Sequence, residues 1–388
     1  MTPGARVAGA IEILGDIAGG LAAEQALTRW ARKRRFAGSK DRAAIRDHVF
    51  DVLRCRAIAA HYGQGEDPRA LMIGLLYFQD APLDALFDGA GHAPEPLTEA
   101  ERDFPAEPTD KSVLFNLPDW LVARFEAALG DDAVTTAMAL QHQAPVFLRV
   151  NLAVTTRQDA QTSLRADGVE TALNPLAEAA LVVTEGARKI RQSRAFLGGE
   201  VELQDAASQA VAAMLPAGGR VLDYCAGGGG KALALAMDRS RQVFAHDIDP
   251  KRMADLPVRA ERAGARIVQI ATADLMQEPP FDVVLCDAPC SGSGAWRRAA
   301  EGKWLLTPER LDELTALQDK ILSQAAECVA ENGMLAYATC SVLEEENEAR
   351  AEAFLTRHPD WQMVASRRFD LGPDGDGFFT AHFQRAIQ

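Results

Sequence analysis

From the first residues to about position 140, apolar side chains recur at the three- and four-residue steps of one helical face. Val7, Ile11, Leu14, Ala18 and Leu21 set the pattern, and Ala43 to Ala60 repeats it. This predicts an all-helical region without strands. Prolines 82, 94, 96, 105 and 108 break the rhythm, so 89–110 is expected to be a long surface connection. Helices resume at Pro118, a residue suited to a first helical turn, and run through Leu129.

Around Val146 the period shortens. Val146 to Val150, Val169 to Leu173 and Leu181 to Thr184 predict short strands, with a helix from Thr156 to Arg165 between the first two. From about Asp205, strand and helix signals alternate. Strands are expected at Arg220 to Cys225, Gln242 to Asp247, Arg266 to Ile270, Phe281 to Cys286 and Met334 to Thr339. Helices are expected at Lys231 to Met237, Lys251 to Ala263 and Pro308 to Ala330. Such alternation specifies an α/β fold with a mainly parallel, doubly wound sheet. Three regions follow: helices over 1–140, a small α/β module over 141–204, and the large sheet over 205–388. Ligands of doubly wound sheets sit outside the carboxyl ends of the strands. The chemistry is therefore expected in the loops after Cys225, Asp247, Cys286 and Thr339.

A length of 388 residues agrees with two or three domains. With 48% apolar and 25% charged residues, a disordered or low-complexity chain is excluded. Lysine plus arginine number 41 against 55 acidic residues, a net charge of −14 that repels phosphate backbones on average. A nucleic-acid partner must then be gripped by local basic patches. Arg29, Arg32, Lys33, Arg34, Arg35, Lys40, Arg42 and Arg46 form one. Arg188, Lys189, Arg191 and Arg194 form another, and Arg297, Arg298 and Lys303 a third. Glu12 and Asp16 interrupt the apolar N-terminus, and no apolar run reaches membrane-spanning length, so a cytoplasmic protein without membrane contact is expected. The six cysteines are scattered and read as reduced thiols, and no histidine stands at ligand spacing from a cysteine pair, so no metal site is assigned.

After the strand ending at Cys225 come Ala226, Gly227, Gly228, Gly229, Gly230 and Lys231, then a helix. Four glycines remove every Cβ and let backbone N–H groups approach a ligand. Asp247, 20 residues beyond Gly227, stands where an acid grips a ribose hydroxyl, and Asp274 follows the third strand on the adenine side of such a cleft. The pattern admits a nicotinamide cofactor or S-adenosylmethionine equally, but not a phosphate loop, because Lys231 is followed by alanine.

Two later strands each run into a thiol. One leads through Asp287, Ala288 and Pro289 to Cys290; the other leads through Thr339 to Cys340. Cys55, Cys286 and Cys328 read as small buried hydrophobes. Cys290 and Cys340 lie beyond the apolar runs on the face that carries the glycine loop. Beside a methyl donor, a thiolate has a use: adding to carbon 6 of cytosine, it turns carbon 5 into an enamine carbon able to attack a methyl sulfonium. Charge developing toward ring nitrogen 3 needs a nearby donor, for which Asp287 is the candidate. The thiolate also needs a cation or dipole, with Lys231, Lys303 or a helix N-terminus as candidates.

Together these runs, with Glu345-Glu346-Asn347 and Gly375 to Phe379 behind them, resemble the RsmB/Sun/Nop group of RNA (cytosine-5) methyltransferases. The resemblance begins near Phe147-Leu148-Arg149-Val150-Asn151 and extends more weakly over the N-terminal helices, which would match the NusB-like RNA-binding domain of the bacterial ribosomal-RNA branch. It implies a class I methyltransferase domain over 205–388, an RRM-like module over 141–204, S-adenosylmethionine as cofactor, ribosomal RNA (the 16S species) as partner, and a monomer. By that likeness Cys340 is the nucleophile and Cys290 helps dissolve the covalent adduct. Asp287 contacts base and cofactor, while Cys225 to Lys231, Asp247 and Asp274 line the cofactor site. The group's usual Ala-Pro-Gly-Gly-Lys-Thr is here Gly227-Gly228-Gly229-Gly230-Lys231-Ala232, and a turn without the proline should be looser. Two rivals remain: a noncatalytic RNA-binding assembly factor with a degenerate glycine loop, and a nicotinamide-dependent dehydrogenase, which has no use for paired thiols.

Overall fold

The structure is a computed structural model and describes residues 1–386. The chain divides into two compact units, Met1–Gln143 with Trp296–Leu305, and Ala144–Ala295 with Leu306–Gln388.

The first unit is helical, as its periodicity predicts. Pro3–Ala18 buries Val7, Ala10, Ile13 and Leu14 against Trp30 of Ala23–Lys33 and Ile45, Val49 and Val52 of Ser39–Arg54. Of the residues expected on that buried face, Ile11 lies at its margin and Ala18 is exposed. The single helical run read over Ala43 to Ala60 is two helices. Cys55 leaves the helical region at φ −113°, ψ 27°, and a new helix spans Arg56–Gly63. The break is held from outside: buried Asn116 accepts through Oδ1 from Ala57 N at 2.9 Å and Ile58 N at 3.1 Å, filling the role of an N-cap. Helix Pro68–Phe78 then crosses Arg56–Gly63 so closely that a Cβ on Gly74 would stand 2.0 Å from Ala59 O. Between Phe87 and Asp110 the only regular element is the short turn Ala100–Arg102, in keeping with the proline-broken pattern.

Residues Trp296–Leu305 pack with these helices, although the sequence reading left them in the large sheet domain. Their polar groups complete the end of Ser39–Arg54: Trp304 Nε1 donates to Leu53 O at 2.6 Å, Lys303 Nζ to Arg54 O at 2.7 Å, and Arg54 Nε to Arg297 O at 3.0 Å. The last carbonyls of a helix need such partners. Lys303 is almost wholly buried, and burial pulls its pKa down to about 7. Its expected roles as an RNA contact and as the cation beside the reactive thiol are therefore corrected: it is a structural lysine of the helical unit. Arg297 is buried as well, and of that trio only Arg298 is exposed.

The second unit holds both sheets. Strands β1 (Val146–Val150), β2 (Glu170–Leu173), β3 (Ala180–Glu185) and β4 (Val201–Leu203) form an antiparallel sheet in the order β2-β3-β1-β4, with helix Arg157–Ala166 against it. The large sheet comprises β5 (Gly219–Asp223), β6 (Arg241–Ala245), β7 (Ile267–Gln269), β8 (Phe281–Asp287), β9 (Val329–Thr339), β10 (Trp361–Phe369) and β11 (Phe378–Arg385). Its order is β10-β11-β9-β8-β5-β6-β7, parallel from β9 through β7 and antiparallel at β10 and β11. The sheet is an α/β doubly wound one, as expected; the C-terminal hairpin of β10 and β11 was not anticipated. β5 lies between β6 and β8, so the chain reverses its direction of winding there, and the carboxyl ends of β5 and β8 flank the resulting crevice. The small sheet belongs to the same compact unit because buried Arg149 donates to Gly230 O at 2.8 Å, and buried Asn151 to Ala263 O at 2.9 Å.

Two outcomes are expected. Asn116→Ala strips the cap from Ala57 and Ile58 and should lower stability by about 1–2 kcal/mol, read as a drop in thermal midpoint. Lys303 carries a folded pKa near 7 and an unfolded pKa near 10.5, so from pH 7 to 10.5 the unfolded chain holds the extra proton and stability rises with pH. Lys303→Met should remove that rise, whose slope is at most about 1.4 kcal/mol per pH unit, in denaturant titrations across this range.

Candidate active site

The glycine loop follows β5 directly. Gly227 and Gly229 adopt φ +51° and +80°, backbone that side-chain-bearing residues avoid, and a Cβ at Gly229 would stand 2.3 Å from Leu256 Cδ1. The looseness expected without a proline is offset by side chains that hold the loop. Gly227 N donates to Asp247 Oδ2 at 2.9 Å, Arg149 Nη1 donates to Gly230 O, and Arg259 Nη1 donates to Gly228 O. Asp247 is thus buried and engaged, with Arg252 Nη1 at 3.2 Å from its Oδ2. Asp274 is exposed at the head of the turn Leu275–Gln277; its neighbours Leu275 and Met276, not Asp274 itself, line the adjoining cavity.

Two cavities adjoin the loop. One, of about 510 Å³, is lined by Gly227, Gly228, Gly230, Lys231, Asp287, Cys290 and Cys340. The other, of about 360 Å³, is mainly apolar and is walled by Tyr224, His246, Asp247, Ile248, Leu275 and Met276. Cys225, Arg252 and Pro289 border both. A glycine cradle beside an apolar slot suits a nucleoside carrying a short charged tail. S-adenosylmethionine is such a molecule, and the residues present fit it.

Lys231 and Asp287 meet across this crevice at 2.7 Å. Burial opposes charge on Lys231, but Asp287 and, further down, the Cys340 sulfur outweigh it and raise the lysine pKa. Asp287, expected to act as a donor toward the base, is here the acceptor of an ion pair with Lys231. Below them, Asp223 at the end of β5 is fully buried; burial first, then the charge of Asp287, pushes its carboxyl up to about 7. This group was not singled out from sequence, because an acid ending a strand carries no signal of its neighbours.

The two thiols stand together: Cys290 Sγ lies 3.5 Å from Cys340 Sγ. The contact with Cys340, then burial, pushes the Cys290 thiol well above its ordinary range. Burial also pushes Cys225 and Cys286 up strongly, and Cys55 and Cys328 up to about 11. Cys55, Cys286 and Cys328 are buried, unreactive thiols, while Cys225 is half-buried and lines both cavities. The loop after Cys290 is closed by Gly294, whose N–H donates to Cys340 O at 3.0 Å and whose Cβ, if present, would lie 2.0 Å from Gly377 O. That contact explains the glycine at 294; a Cβ on Gly377 would stand 2.6 Å from Val342 Cγ1, and one on Gly375 2.7 Å from Leu176 Cδ1. Gln318, which bonds the Cys290 loop, carried no signal in the sequence, and Glu346, which also bonds it, entered only as part of the resemblance and without a role.

Of the basic patches, Arg188, Lys189, Arg191 and Arg194 are all exposed around the turn Ala187–Gln192, Arg194 beside Asp167 at 3.3 Å. In the first patch Arg34, Arg46 and Arg29 pair with Glu12, Glu24 and Asp16, while Arg32, Lys33, Arg35 and Lys40 face solvent. Among the described residues no cluster of His, Cys, Asp and Glu has metal-binding geometry, and no helix is long and apolar enough to cross a membrane.

Comparison with known proteins agrees with this geometry. Residues 212–384 match the family model described as 16S rRNA methyltransferase RsmB/F, and residues 117–189 match the ferredoxin-like domain of RsmF/B-like methyltransferases. The ribosomal RNA small subunit methyltransferase B of Xanthomonas campestris is 33% identical over 322 residues, covering 76% of this chain and 72% of that protein. Its counterpart in Xylella fastidiosa is 36% identical over 291 residues, covering 70% and 67%. The crystal structure of PH0851 shares the fold, with a TM-score of 0.76 and 20% identity over 99% of each chain. Identity above 30% over most of both chains, on the sheet, loop and thiol arrangement described here, makes this chain a member of the RsmB/F family of 16S rRNA methyltransferases.

Proposed function

We propose that this protein transfers a methyl group from S-adenosylmethionine to carbon 5 of a cytosine in 16S ribosomal RNA, through a covalent bond between Cys340 and carbon 6. The observation that carries this reading is the pair of sulfurs 3.5 Å apart on the wall of the cavity that also holds the glycine loop and Asp287. The cofactor, when bound, supplies a methyl carbon on a sulfonium. The glycine loop and Asp247 would hold its adenosine and methionine ends, and Leu275 and Met276 would wall its base.

Cys340 adds to carbon 6 as the thiolate, and the electron pair displaced from the ring passes toward nitrogen 3. Lys231, held by Asp287, places positive charge and a proton where that charge collects and beside the attacking sulfur. Carbon 5 then takes the methyl group. Loss of the carbon 5 proton to a solvent base, with nitrogen 3 returning its proton to Lys231, restores the ring double bond and expels the Cys340 thiolate, a departure that Cys290, already in contact with Cys340, assists. A cytosine in a stacked helix cannot enter the cavity, so the target is single-stranded or flipped out. Arg188, Lys189, Arg191, Arg194 and Arg298 are the cations this reading assigns to the RNA backbone. Both thiols and the cofactor cradle belong to one compact unit of one chain, so a monomer working in the cytoplasm, where ribosomal RNA is made, suffices.

Calorimetric titration should detect S-adenosylmethionine binding, and no binding would favour a noncatalytic assembly factor. With RNA and labelled cofactor, Cys340→Ala should abolish both methylation and the covalent adduct. Cys290→Ala should accumulate the adduct on denaturing gels and turn over at least about a hundredfold more slowly. Adduct surviving the loss of Cys340 would overturn the assignment. Bisulfite sequencing of ribosomal RNA from cells with and without the gene would identify the modified base.

A further inference from the structure

Beneath the two thiol loops lies a carboxylate that the reaction chemistry does not call on. Glu346, in the turn Glu344–Glu346, is 0% exposed and forms no ion pair among the described residues. Its Oε1 accepts from Ser291 N at 2.7 Å and Gln318 Nε2 at 3.1 Å, and its Oε2 accepts from Ser291 Oγ at 2.5 Å. Gln318, also 0% exposed, donates from the same Nε2 to Pro289 O at 2.9 Å. The chain is therefore gripped on both sides of Cys290. Tyr337 OH ties the turn to β9 by donating to Glu346 O at 2.7 Å.

The next residue does the same for the other thiol. Asn347 Nδ2 donates to Ser341 O at 2.9 Å, and its Oδ1 accepts from Thr339 Oγ1 at 2.5 Å, so the residues flanking Cys340 are both held. Burying a carboxylate without a cation is costly unless its hydrogen bonds are complete. At Glu346 the bonds are supplied by the loop that carries the second thiol.

We propose that Glu346 and Asn347 are positioning residues that set the 3.5 Å sulfur separation. Glu346 fixes the Cys290 loop, and Asn347 fixes the Cys340 turn. The inference rests on the two-thiol reaction proposed above. Without Glu346, Cys340 still adds to the base, because its own turn is held by Asn347. Cys290 loses its place, and release of the adduct fails. Glu346→Gln keeps the shape of the side chain: its Oε1 can accept from Ser291 N and Gln318, and its amide can donate to Ser291 Oγ, so that only the charge is lost.

The test compares wild type, Glu346→Ala, Glu346→Gln, Ser291→Ala, Asn347→Ala and Cys290→Ala on RNA with labelled S-adenosylmethionine. Adduct is read on denaturing gels, with cofactor binding and thermal melting measured alongside. Glu346→Ala should raise the adduct about 10- to 100-fold over wild type while still forming it, and Glu346→Gln should stay within about threefold. Asn347→Ala should slow formation of the adduct. Ser291→Ala, which removes one of the three bonds and leaves Glu346 in place, should give a smaller rise and decides the matter if Glu346→Ala does not fold. Wild-type adduct levels in Glu346→Ala and Ser291→Ala would overturn the proposal. So would equal accumulation in Glu346→Gln and Glu346→Ala, which would make charge and not position the cause. If Cys290→Ala itself fails to accumulate adduct, the two-thiol reaction falls and this inference with it; a normal Cys290→Ala result beside an unaffected Glu346→Ala sinks this inference alone.

Discussion

The site depends on the parallel register of β8 and β9. Asp287 pairs with Ala338, and Ala288 N donates to Ala338 O at 2.9 Å, so the two strands leave the sheet side by side. Cys290 and Cys340 each lie within three residues of that last pairing. Their contact is therefore a consequence of sheet register and not of any attraction between sulfurs. Alternate residues of a strand face opposite sides, so a one-residue slip of β9 would send its whole apolar set to the wrong layer. Ala336 and Ala338 pack with one layer of the core, and Leu335 and Tyr337 with the other. The core on both faces thus guards the register, and the register guards the chemistry.

Next to that pair, the strand order decides the electrostatics. β5 lies beside β8, so the helix after the glycine loop brings Lys231 to Asp287. Buried lysines ordinarily lose their charge; here an ion pair retains it. Asp223 bears the opposite consequence, a carboxyl pushed upward first by burial and then by the charge of Asp287. One crevice therefore contains a lysine kept charged and an acid kept near neutrality, separated by the neighbours each received from the sheet.

The polyglycine turn illustrates how a loss of local stiffness is offset at a distance. Four glycines leave the unfolded chain with much conformational freedom to surrender. Asp247 from the loop after β6, Arg259 from helix Leu256–Arg262 and Arg149 from β1 of the small sheet each bond a different glycine of the loop. Arg149 is buried deeply enough that its pKa falls to about 10, burial being the main cause. The small antiparallel sheet thereby acts as a brace for the cofactor loop, a role its own sequence pattern does not announce.

Local signals were sufficient for the helical unit, the alternation of strands and helices, the glycine turn and the two thiols beyond their strands, because periodicity and glycine content act over a few residues. Family resemblance then supplied roles for Cys340, Cys290 and Asp287. Pairing and burial decided the rest. Lys303 follows the Cys290 loop in sequence yet is consumed in finishing a helix at Arg54, 249 residues away. Asn116 splits a helix 58 residues before it, and Glu346 reaches back 55 residues to Ser291. A buried polar group must find a partner wherever the fold provides one, and such partners are set by which segments meet, a property of the packed chain that no window of sequence contains.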